Sequence, residues 1–577
     1  MGKLVRKYVR CYRIGIDTGG TCTDGVLIDD ATLEVVHSAK EPTTHHNLGI
    51  GVGRVLKKLL AADVVPENII GLAVSTTLAT NAVVEDRGAR VGLLVFGYVR
   101  HFKLPITANI FLKGGHKITG EEDEPLDIEG LVDSVHGLKN EVDSYAVCGG
   151  MSIKNPTHEL VAEEAITMID PKPVFCSHQV SENPGMRARA ATACLHAKLM
   201  PLMISFLSSF KTSMLNAGLN CPITIICGNG KGIGLDTAVR RAAITMASGP
   251  AATARFGCTA GEPTALIVDV GGTTTDVCMI REGQPVLSNE GCRIGQWQTH
   301  VDAIDMYTAA GGGDSHIICS SDHDCSLQPE DSCGQHPQQS QLPKIRLEAT
   351  RVQPLCMTKD LPDPEQWLGC GLRNAVVLPV DELSEETVSE DEILFCLREH
   401  GPANLETLTQ QTGLSGILLE KRLERLAYLQ QIRMAGFTPT DALHVLGKLD
   451  VGSKEQAEHG ARALAASLDM SIEALCRQVV HEAEKTIEGI ILDYLGHKVW
   501  QNVETAPLLS SMENELFSLQ AAVKVPIIGI GAAARCFLPT VAKRLHTKVY
   551  FPEHYEVGNA VGAALIDREK DQTDFAL

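Results

Sequence analysis

The fold is decided near the start of the chain by Ile14-Gly-Ile-Asp-Thr-Gly-Gly-Thr-Cys-Thr-Asp-Gly-Val-Leu-Ile28. The pattern returns in mid-chain as Leu266-Ile-Val-Asp-Val-Gly-Gly-Thr-Thr-Thr-Asp-Val-Cys-Met-Ile280. Both stretches read as an apolar run, Asp, one variable residue, Gly-Gly-Thr, one variable residue, Thr-Asp and a second apolar run. Because apolar runs bounded by glycine are typical of buried strands, each stretch predicts a β-hairpin with a tight glycine turn.

These turns have the residue types that bind phosphate. Glycines let backbone N–H groups approach an anion, threonine hydroxyls add donors, and a carboxylate can hold a hydrated Mg²⁺. We assign Asp17 and Asp269 to Mg²⁺ and to ordering of water. One hairpin alone could equally be an ordinary glycine turn, whereas two copies indicate duplicated half-domains that clamp one polyphosphate. The candidate phosphate contacts are Thr18, Gly19, Gly20, Thr21, Thr23, Gly271, Gly272, Thr273 and Thr274, while Asp24 and Asp276 are expected to brace the hairpins.

The paired hairpins resemble the two phosphate loops of the actin and sugar-kinase ATPase superfamily. Three further stretches, Val74-Ser-Thr-Thr-Leu-Ala-Thr-Asn81, Gly114-Gly-His116 and Asn155-Pro156, make the chain similar to the hydantoinase/oxoprolinase family, and specifically to its ATP-binding A-type subunit. The resemblance implies an α/β fold with two duplicated actin-like ATPase lobes and a nucleotide cleft between them.

The resemblance also implies a reaction. ATP and Mg²⁺ would drive the opening of a cyclic amide, such as 5-oxoproline or a hydantoin, by phosphoryl activation of the amide, with a B-type partner subunit completing turnover. Two alternatives stay open: the ATP-handling subunit of a ketone carboxylase, and a conformational-switch ATPase that acts on a protein partner.

Near the end of the chain, Val525-Pro-Ile-Ile-Gly-Ile-Gly-Ala-Ala-Ala-Arg535 predicts a strand that opens through Gly-x-Gly-Ala into a helix. By resemblance to the superfamily's adenosine loop, Gly529, Gly531 and Ala532 are candidate nucleotide contacts. The following stretch, Glu556-Val-Gly-Asn-Ala-Val-Gly-Ala-Ala564, predicts a helix whose small residues permit close packing.

Candidate substrate contacts come from two of the family-like stretches. Thr76, Thr77 and Asn81 stand at a predicted helix start, where hydroxyls either cap the helix or contact an anion. His116 follows two glycines and is either a loop residue or a substrate or metal contact.

The expected domains are an N-terminal lobe over 1–186, a second lobe over 187–382 and 437–577, and a three-helix insert over 383–436 that resembles a winged helix. Residues 384–435 hold nine acidic residues against five Lys/Arg, which favours a structural or protein-docking insert over a DNA reader. A tract at 316–336 has His316, Cys319 and further Cys, His and Asp residues of the kinds that bind Zn²⁺. Its spacing matches no zinc knuckle, so a plain loop is the alternative.

Composition excludes several classes. A formal charge of −20 over 577 residues argues against general binding to nucleic acid or to anionic membranes. We found no run of about 20 apolar residues that would span a bilayer and no signal sequence at the N-terminus, so the sequence predicts a cytoplasmic protein. The 18 cysteines are expected to be reduced and buried.

Overall fold

The computed structural model describes residues 10–574 except 21, 45–46, 62–63, 85–87, 98–101, 181–184, 289–292, 295–296, 299–300, 321–343, 359–360, 369–374, 381–382, 384, 415, 429–430, 500–511, 514–517 and 520. Strands and helices alternate along much of this part of the chain. Its strands are β1 (Tyr12–Thr18), β2 (Cys22–Asp29), β3 (Val35–Pro42), β4 (Ile69–Thr76), β5 (Val91–Phe96), β6 (Ala108–Leu112), β7 (Ser144–Gly149), β8 (Val174–Cys176), β9 (Ile223–Ile226), β10 (Gly232–Gly234), β11 (Thr264–Val270), β12 (Thr274–Arg281), β13 (Gln284–Pro285), β14 (Arg293–Ile294), β15 (Trp297–Gln298), β16 (Met306–Ala310), β17 (Ser315–Ser320), β18 (Lys344–Arg351), β19 (Gln353–Pro354), β20 (Ala375–Pro379), β21 (Ala403–Asn404), β22 (Ile432–Gly436), β23 (Met512–Glu513), β24 (Ser518–Leu519), β25 (Ile527–Ile530) and β26 (Val549–Tyr550).

The α-helices of the described residues are α1 (Leu48–Leu60), α2 (Leu78–Val84), α3 (Ile128–Leu138), α4 (Thr157–Ile169), α5 (Met186–Asn216), α6 (Leu235–Arg240), α7 (Ser248–Gly257), α8 (Glu385–Ser389), α9 (Glu392–His400), α10 (Leu405–Thr412), α11 (Gly416–Tyr428), α12 (Pro439–Val445), α13 (Lys454–Ser467), α14 (Ile472–His497), α15 (Ala534–Arg544) and α16 (Gly558–Asp574). Two compact units share these elements. Unit 1 comprises Met1–Thr264, Cys278–Met306 and Val557–Leu577, and unit 2 comprises Ala265–Val277 and Tyr307–Glu556.

Unit 1 is built on a six-stranded sheet in the order β10-β9-β4-β1-β2-β3. β1 and β2 form the predicted hairpin, in which Asp17 pairs with Asp24. On its other side β1 runs parallel to β4, which in turn runs parallel to β9. Since the inner strands are almost fully buried, both of their faces are covered, as in a sheet with helices on its two sides.

A second sheet of unit 1, in the order β6-β5-β7-β8, is entirely parallel. Helices α3 and α4 cover it around a separate apolar cluster that includes Phe96, Leu131 and Ile166. The long helix α5 packs against both β7 and α1. By length and composition α5 could span a membrane, so the expectation that no such segment exists is wrong. However, 78% of its most apolar window is buried, as in the core helix of a globular unit.

Unit 2 has the second hairpin in its main sheet, where β12, β11, β25 and β26 are neighbours. β11 runs parallel to β25, with Asp269 opposite Ile530, and β25 runs parallel to β26. Helix α15 follows β25, so the predicted strand, glycine turn and helix are present in this order.

The insert forms a small module of unit 2 with a core of its own. Helices α9, α10 and α11 pack with a sheet in the order β19-β22-β20-β21 around Leu397, Leu408 and Leu423. In the third helix, α11, Arg422 is paired with Asp391 and Glu392 at the start of α9.

The predicted fold class is confirmed: the chain is an α/β protein with two lobes, and each lobe has one of the repeated hairpins in its main sheet. One local prediction needs correction. Thr76 is not the start of a helix but the last residue of β4, and α2 begins at Leu78. Parallel pairing of Thr18 with Thr76 extends the strand beyond the point where local sequence favours a helix.

Helix α16 lies so close to its neighbours in unit 1 that small residues are obligatory. A Cβ atom added at Gly562 would lie 1.9 Å from the carbonyl oxygen of Ala252 in α7. A Cβ atom at Gly15 in β1 would lie 1.9 Å from the carbonyl oxygen of Ala560. The backbone of α16 therefore packs directly on the backbones of α7 and β1. This close contact explains why the sequence of α16 has glycine and alanine at these positions.

Replacing Gly562 by alanine should destabilise unit 1, because the new methyl group must push α16 and α7 apart. Overpacking of this kind costs about 1–3 kcal/mol, which urea unfolding would show as a lower midpoint. Gly137→Ala is the matched control, since Gly137 lies in α3 with no atom within 4 Å of its would-be Cβ. That variant should be neutral or more stable by up to about 1 kcal/mol. Equal midpoints for the two variants would contradict the close-packing argument.

Candidate functional site

The first hairpin turns through a single backbone hydrogen bond, which the N–H of Gly19 donates to the carbonyl oxygen of Cys22 at 3.0 Å. The Thr43 hydroxyl fixes the turn from outside by donating to the carbonyl oxygen of Gly19 at 2.8 Å. It also lies 3.2 Å from the hydroxyl of Thr23. Gly20 is exposed, and Thr21 lies outside the described residues. The turn is thus held by its neighbours while its tip stays open to solvent.

Asp17, at the carboxyl end of β1, is buried and held by two side chains from different elements. Ser75, its neighbour in β4, donates to Oδ1 at 2.6 Å, and Asn559 of α16 donates to Oδ2 at 3.3 Å. Asp24 on the facing strand pairs with Lys40 at 3.0 Å, as expected of a bracing residue. The carboxylate of Asp17 is therefore oriented before any ligand binds.

The hydroxyl of Thr18 is not hydrogen-bonded to any residue that the structure describes. The residue is 1% exposed, and Oγ1 has no hydrogen-bond partner in the described part of the chain. Its carbonyl oxygen accepts from the N–H of Thr77 at 3.1 Å, so the backbone is fixed. A buried polar atom without a partner costs about 1–3 kcal/mol, and such an atom in a native structure calls for an explanation.

The other candidate residues beside this hairpin have different surroundings. Thr76 is buried, and its hydroxyl accepts from the N–H of Leu78 at 3.1 Å, which is the capping role. Its backbone N–H and C=O are both bonded to the hydroxyl of Ser248. Thr77 is half-buried next to Thr18, and the side chain of Asn81 lies outside the described residues. A substrate role for Thr76, Thr77 and Asn81 stays a prediction.

The second hairpin repeats the turn of the first. The N–H of Gly271 donates to the carbonyl oxygen of Thr274 at 3.0 Å, which are the positions equivalent to Gly19 and Cys22. Residues Gly271, Gly272, Thr273 and Thr274 are all half-buried. The hairpins therefore share one backbone geometry as well as one sequence pattern.

A glycine-rich segment, Gly311–Asp314, supports the second hairpin in place of the threonines that support the first. Its backbone N–H groups donate to the carbonyl oxygens of the turn, Gly313 to Gly271 at 3.1 Å and Asp314 to Gly272 at 2.7 Å. Thr440 of α12 holds this segment in turn. Its hydroxyl and its N–H both donate to the carbonyl oxygen of Gly313, each at 2.8 Å.

Asp441 fixes the start of α12 and thereby Thr440. This fully buried carboxylate accepts from the N–H groups of Leu355 and Cys356 at 3.0 and 2.8 Å, and from the N–H and hydroxyl of Thr438, both at 3.0 Å. Burial raises the pKa of Asp441 to about 6 against the opposing effect of these donors. The residue is therefore ionised at pH 8 and acts as a four-fold acceptor.

The predicted adenosine loop passes close to Asp269. Gly531 has φ +93°, and a Cβ there would lie 2.6 Å from Oδ1 of Asp269 and 2.4 Å from the carbonyl oxygen of Val270. Gly529 instead packs on the ring of Phe551, and Ala532 is exposed. Arg535 follows this loop, and its guanidinium lies 4.9 Å from the ring centroid of Tyr555 and 5.4 Å from that of Phe551.

His116 is buried in unit 1, and its ring centroid lies 4.3 Å from that of His158. His158 accepts from the N–H of Gly115 at Nδ1, 2.9 Å away, so its ring proton lies on Nε2, 3.0 Å from Glu122. Burial and the neighbouring His158 lower the pKa of His116. Both effects favour the neutral imidazole of His116, whose contact with a substrate stays a prediction.

Metal ligands are grouped in one place among the described residues: Glu159, Cys176 and His178. Glu159 is already saturated there, because it accepts from Gly149, from Ser177 and twice from His178. The cluster is therefore explained as an internal hydrogen-bond network. Most of the predicted zinc tract, from 321 to 336, lies outside the described residues, whereas His316 is buried beside Glu348 at 3.4 Å.

Fold and hairpins together define a two-lobed α/β protein with the actin-like fold. The chain belongs to the hydantoinase/oxoprolinase family: the model of the family's N-terminal region matches residues 13–169, and the hydantoinase/oxoprolinase model matches residues 189–572. The predicted family is thereby confirmed.

Individual curated relatives match this chain at low sequence identity. The caprolactamase subunit alpha of Pseudomonas jessenii is 27% identical over 346 residues, which cover 53% of this chain and 48% of the relative. The acetophenone carboxylase gamma subunit of Aromatoleum aromaticum is 27% identical over 349 residues, covering 52% and 47%. The chain thus spans about half the length of these curated relatives. Among solved structures, nucleotide-free acetone carboxylase matches with a TM-score of 0.64 at 17% identity, over 96% of this chain and 70% of the other.

Asp441→Asn should destabilise unit 2, since the amide NH₂ would face N–H and O–H donors instead of accepting from them. Leaving a buried donor unsatisfied costs about 1–3 kcal/mol, measured as a lower urea midpoint at pH 8. Asp469→Asn makes the same charge change at an exposed residue with φ +52°, a backbone conformation that asparagine tolerates. This control should unfold like the unmodified chain. If Asp441→Asn unfolded at the same urea midpoint as Asp469→Asn, the hydrogen bonds that Asp441 accepts would contribute nothing to the stability of unit 2.

Proposed function

We propose that the chain is the ATP-binding subunit of an enzyme that opens a cyclic amide by phosphoryl activation. The observation that carries the proposal is the repeated hairpin, with the same Gly N–H to C=O bond in both copies and an aspartate at the end of each first strand. The N–H groups of such glycine turns that are not used in the turn itself can donate to phosphate oxygens.

The residues at the first hairpin fit Mg·ATP. The hydroxyl of Thr18 can donate a hydrogen bond to a ligand. Hydrogen bonds from Ser75 and Asn559 already orient the buried carboxylate of Asp17. Asp17 and Asp269 would hold Mg²⁺ through its bound waters, which suits a cation that dehydrates reluctantly. When bound, the metal would neutralise charge on the phosphates.

The chemistry follows from the weakness of an amide as an electrophile. Transfer of the γ-phosphoryl group to the amide oxygen produces a phosphorylated imidate, whose carbon is open to attack by water. As water adds, the C–N bond breaks, the ring nitrogen takes up a proton and the ring opens to an acyl phosphate. A second water hydrolyses the acyl phosphate, which releases phosphate and leaves the amino acid. Phosphoryl transfer depends mainly on positioning and charge stabilisation, which the oriented Asp17 and the two glycine turns would supply.

A partner subunit forms part of the proposal. One relative is named a subunit alpha and the other a subunit gamma. We infer that this chain also works with a second, B-type chain, which would complete hydrolysis of the activated amide. We also propose that the protein is cytoplasmic and that the 316–336 tract binds zinc.

A ketone carboxylase subunit is the second candidate function, and similarity to acetophenone carboxylase and acetone carboxylase favours it. The same phosphate-binding hairpins would then serve activation of a ketone and bicarbonate. A switch ATPase acting on a protein partner is the third, and the insert, with its own core, would be the docking module.

Phosphate release by the purified chain separates these functions. With Mg·ATP, one cyclic amide from a panel of 5-oxoproline, hydantoins and larger lactams should accelerate release. Asp17→Asn should reduce the accelerated rate by roughly 10² or more, in the range found for loss of one transition-state contact. Asp133→Asn, an exposed change of the same charge in α3, should have no effect. Acceleration by a ketone with bicarbonate, and by no amide, would overturn the amide assignment.

Thr18→Val tests whether the unused hydroxyl serves the nucleotide. Valine keeps the shape of threonine and removes a group that has no hydrogen-bond partner among the described residues, so the urea midpoint should stay the same or rise. The affinity for Mg·ATP should fall about 10-fold or more, because a hydrogen bond to a charged group contributes about 1.5–3 kcal/mol. Isothermal titration would measure it. A stability loss with unchanged affinity would assign the hydroxyl to the fold.

A further inference from the structure

Four polar side chains form a row across the main sheet of unit 1, at the level of Asp17. Strand pairing places Ser75 of β4, Asp17 of β1, Asp24 of β2 and Lys40 of β3 side by side in this order. Since paired residues of neighbouring strands point to the same face of a sheet, the four side chains share one face. A single residue pair of the hairpin separates this row from the first glycine turn.

The row is buried at one end and open to solvent at the other. Ser75 and Asp17 are buried, and Asn559 at the start of α16 donates to Asp17. Exposure then rises along the row, to 15% for the side chain of Asp24 and 48% for that of Lys40, which lies on the edge strand of the sheet. The open end of the row is therefore cationic.

Lys40 compensates one of two carboxylates that face each other. Asp17 and Asp24 are directly opposite in an antiparallel pair, where like charges are destabilising. The ammonium of Lys40 lies 3.0 Å from Oδ1 and 3.1 Å from Oδ2 of Asp24. Burial lowers the pKa of Lys40, but the negative charges of Asp24, Cys22 and Asp17 outweigh this effect and raise the pKa. Lys40 is therefore a fixed positive charge beside the first hairpin.

The ammonium of Lys40 has a donor to spare. It has three N–H groups, and among the described residues its hydrogen bonds go to the two oxygens of Asp24. At least one N–H is therefore left for a ligand at the open end of the row. A lysine ammonium is a compact point charge that binds phosphate. The hairpin turn itself, from Gly19 to Thr23, has no lysine or arginine.

We propose that Lys40 contacts the phosphates of ATP at the first hairpin and that Asp24 positions it. The inference rests on the proposed function and adds to it the cation that the glycine turn lacks. Lys40 would neutralise charge on the phosphates, while Asp17 stays available to the waters of Mg²⁺. The alternative role for a lysine on an edge strand is to prevent pairing with another chain, and that role predicts no effect on nucleotide binding.

Titration calorimetry with the full chain and Mg·ATP tests the assignment. Lys40→Met keeps the length of the side chain and removes its charge, so the affinity should fall about 10- to 100-fold, the loss expected for a charge-assisted hydrogen bond. Lys57→Met, the same change at an exposed lysine of α1, should leave the affinity unchanged. Lys40→Arg restores the positive charge and should recover most of the affinity.

Adenosine, which lacks phosphates, separates binding from folding. Lys40→Met should bind adenosine as the unmodified chain does, because the lost contact is to phosphate alone. Equal loss of affinity for ATP and adenosine would assign Lys40 to the fold, and equal ATP affinities of Lys40→Met and Lys57→Met would also overturn the inference. Either result would leave the proposed function intact, whereas an unmodified chain that binds no Mg·ATP would overturn both.

Discussion

The contact between backbone and backbone at helix α16 is the constraint on which the first lobe depends. No Cβ fits at Gly562 against α7 or at Gly15 against α16. This close approach brings Asn559, at the start of α16, to the carboxylate of Asp17 on β1. Asn559 is bonded in addition to Thr253 of α7. The orientation of Asp17 is thus set by packing more than 500 residues further along the chain, and a looser helix contact would free it.

The two hairpins show how one local pattern is stabilised by different surroundings. Each has the same turn, but the first is held by the hydroxyl of Thr43 and the second by the backbone of Gly313. Thr440 donates a hydrogen bond to Gly313. The buried carboxylate of Asp441 fixes the start of the helix that has Thr440 by accepting from Thr438. Duplicated sequence therefore fixes the turn, whereas each lobe supplies its own support.

Local patterns made the hairpins, the small-residue helix and the helices of the insert predictable, because strand, turn and helix signals lie within a few residues of one another. The partners of the site were not predictable. Ser75 and Asn559 reach it through pairing and packing, which depend on distance in space rather than along the chain. Thr76 was misassigned for the same reason, since pairing with β1 keeps it in a strand. Gly529 fits the glycine pattern but faces Phe551.

In the proposed function, each of the two glycine turns contacts the phosphates of ATP. Amide hydrogen exchange, followed by mass spectrometry with and without Mg·ATP, tests it most directly because it examines each hairpin separately. ATP should slow exchange in peptides covering 14–28 and in peptides covering 266–280. Unchanged exchange in both hairpins, under conditions where calorimetry shows ATP bound, would contradict it.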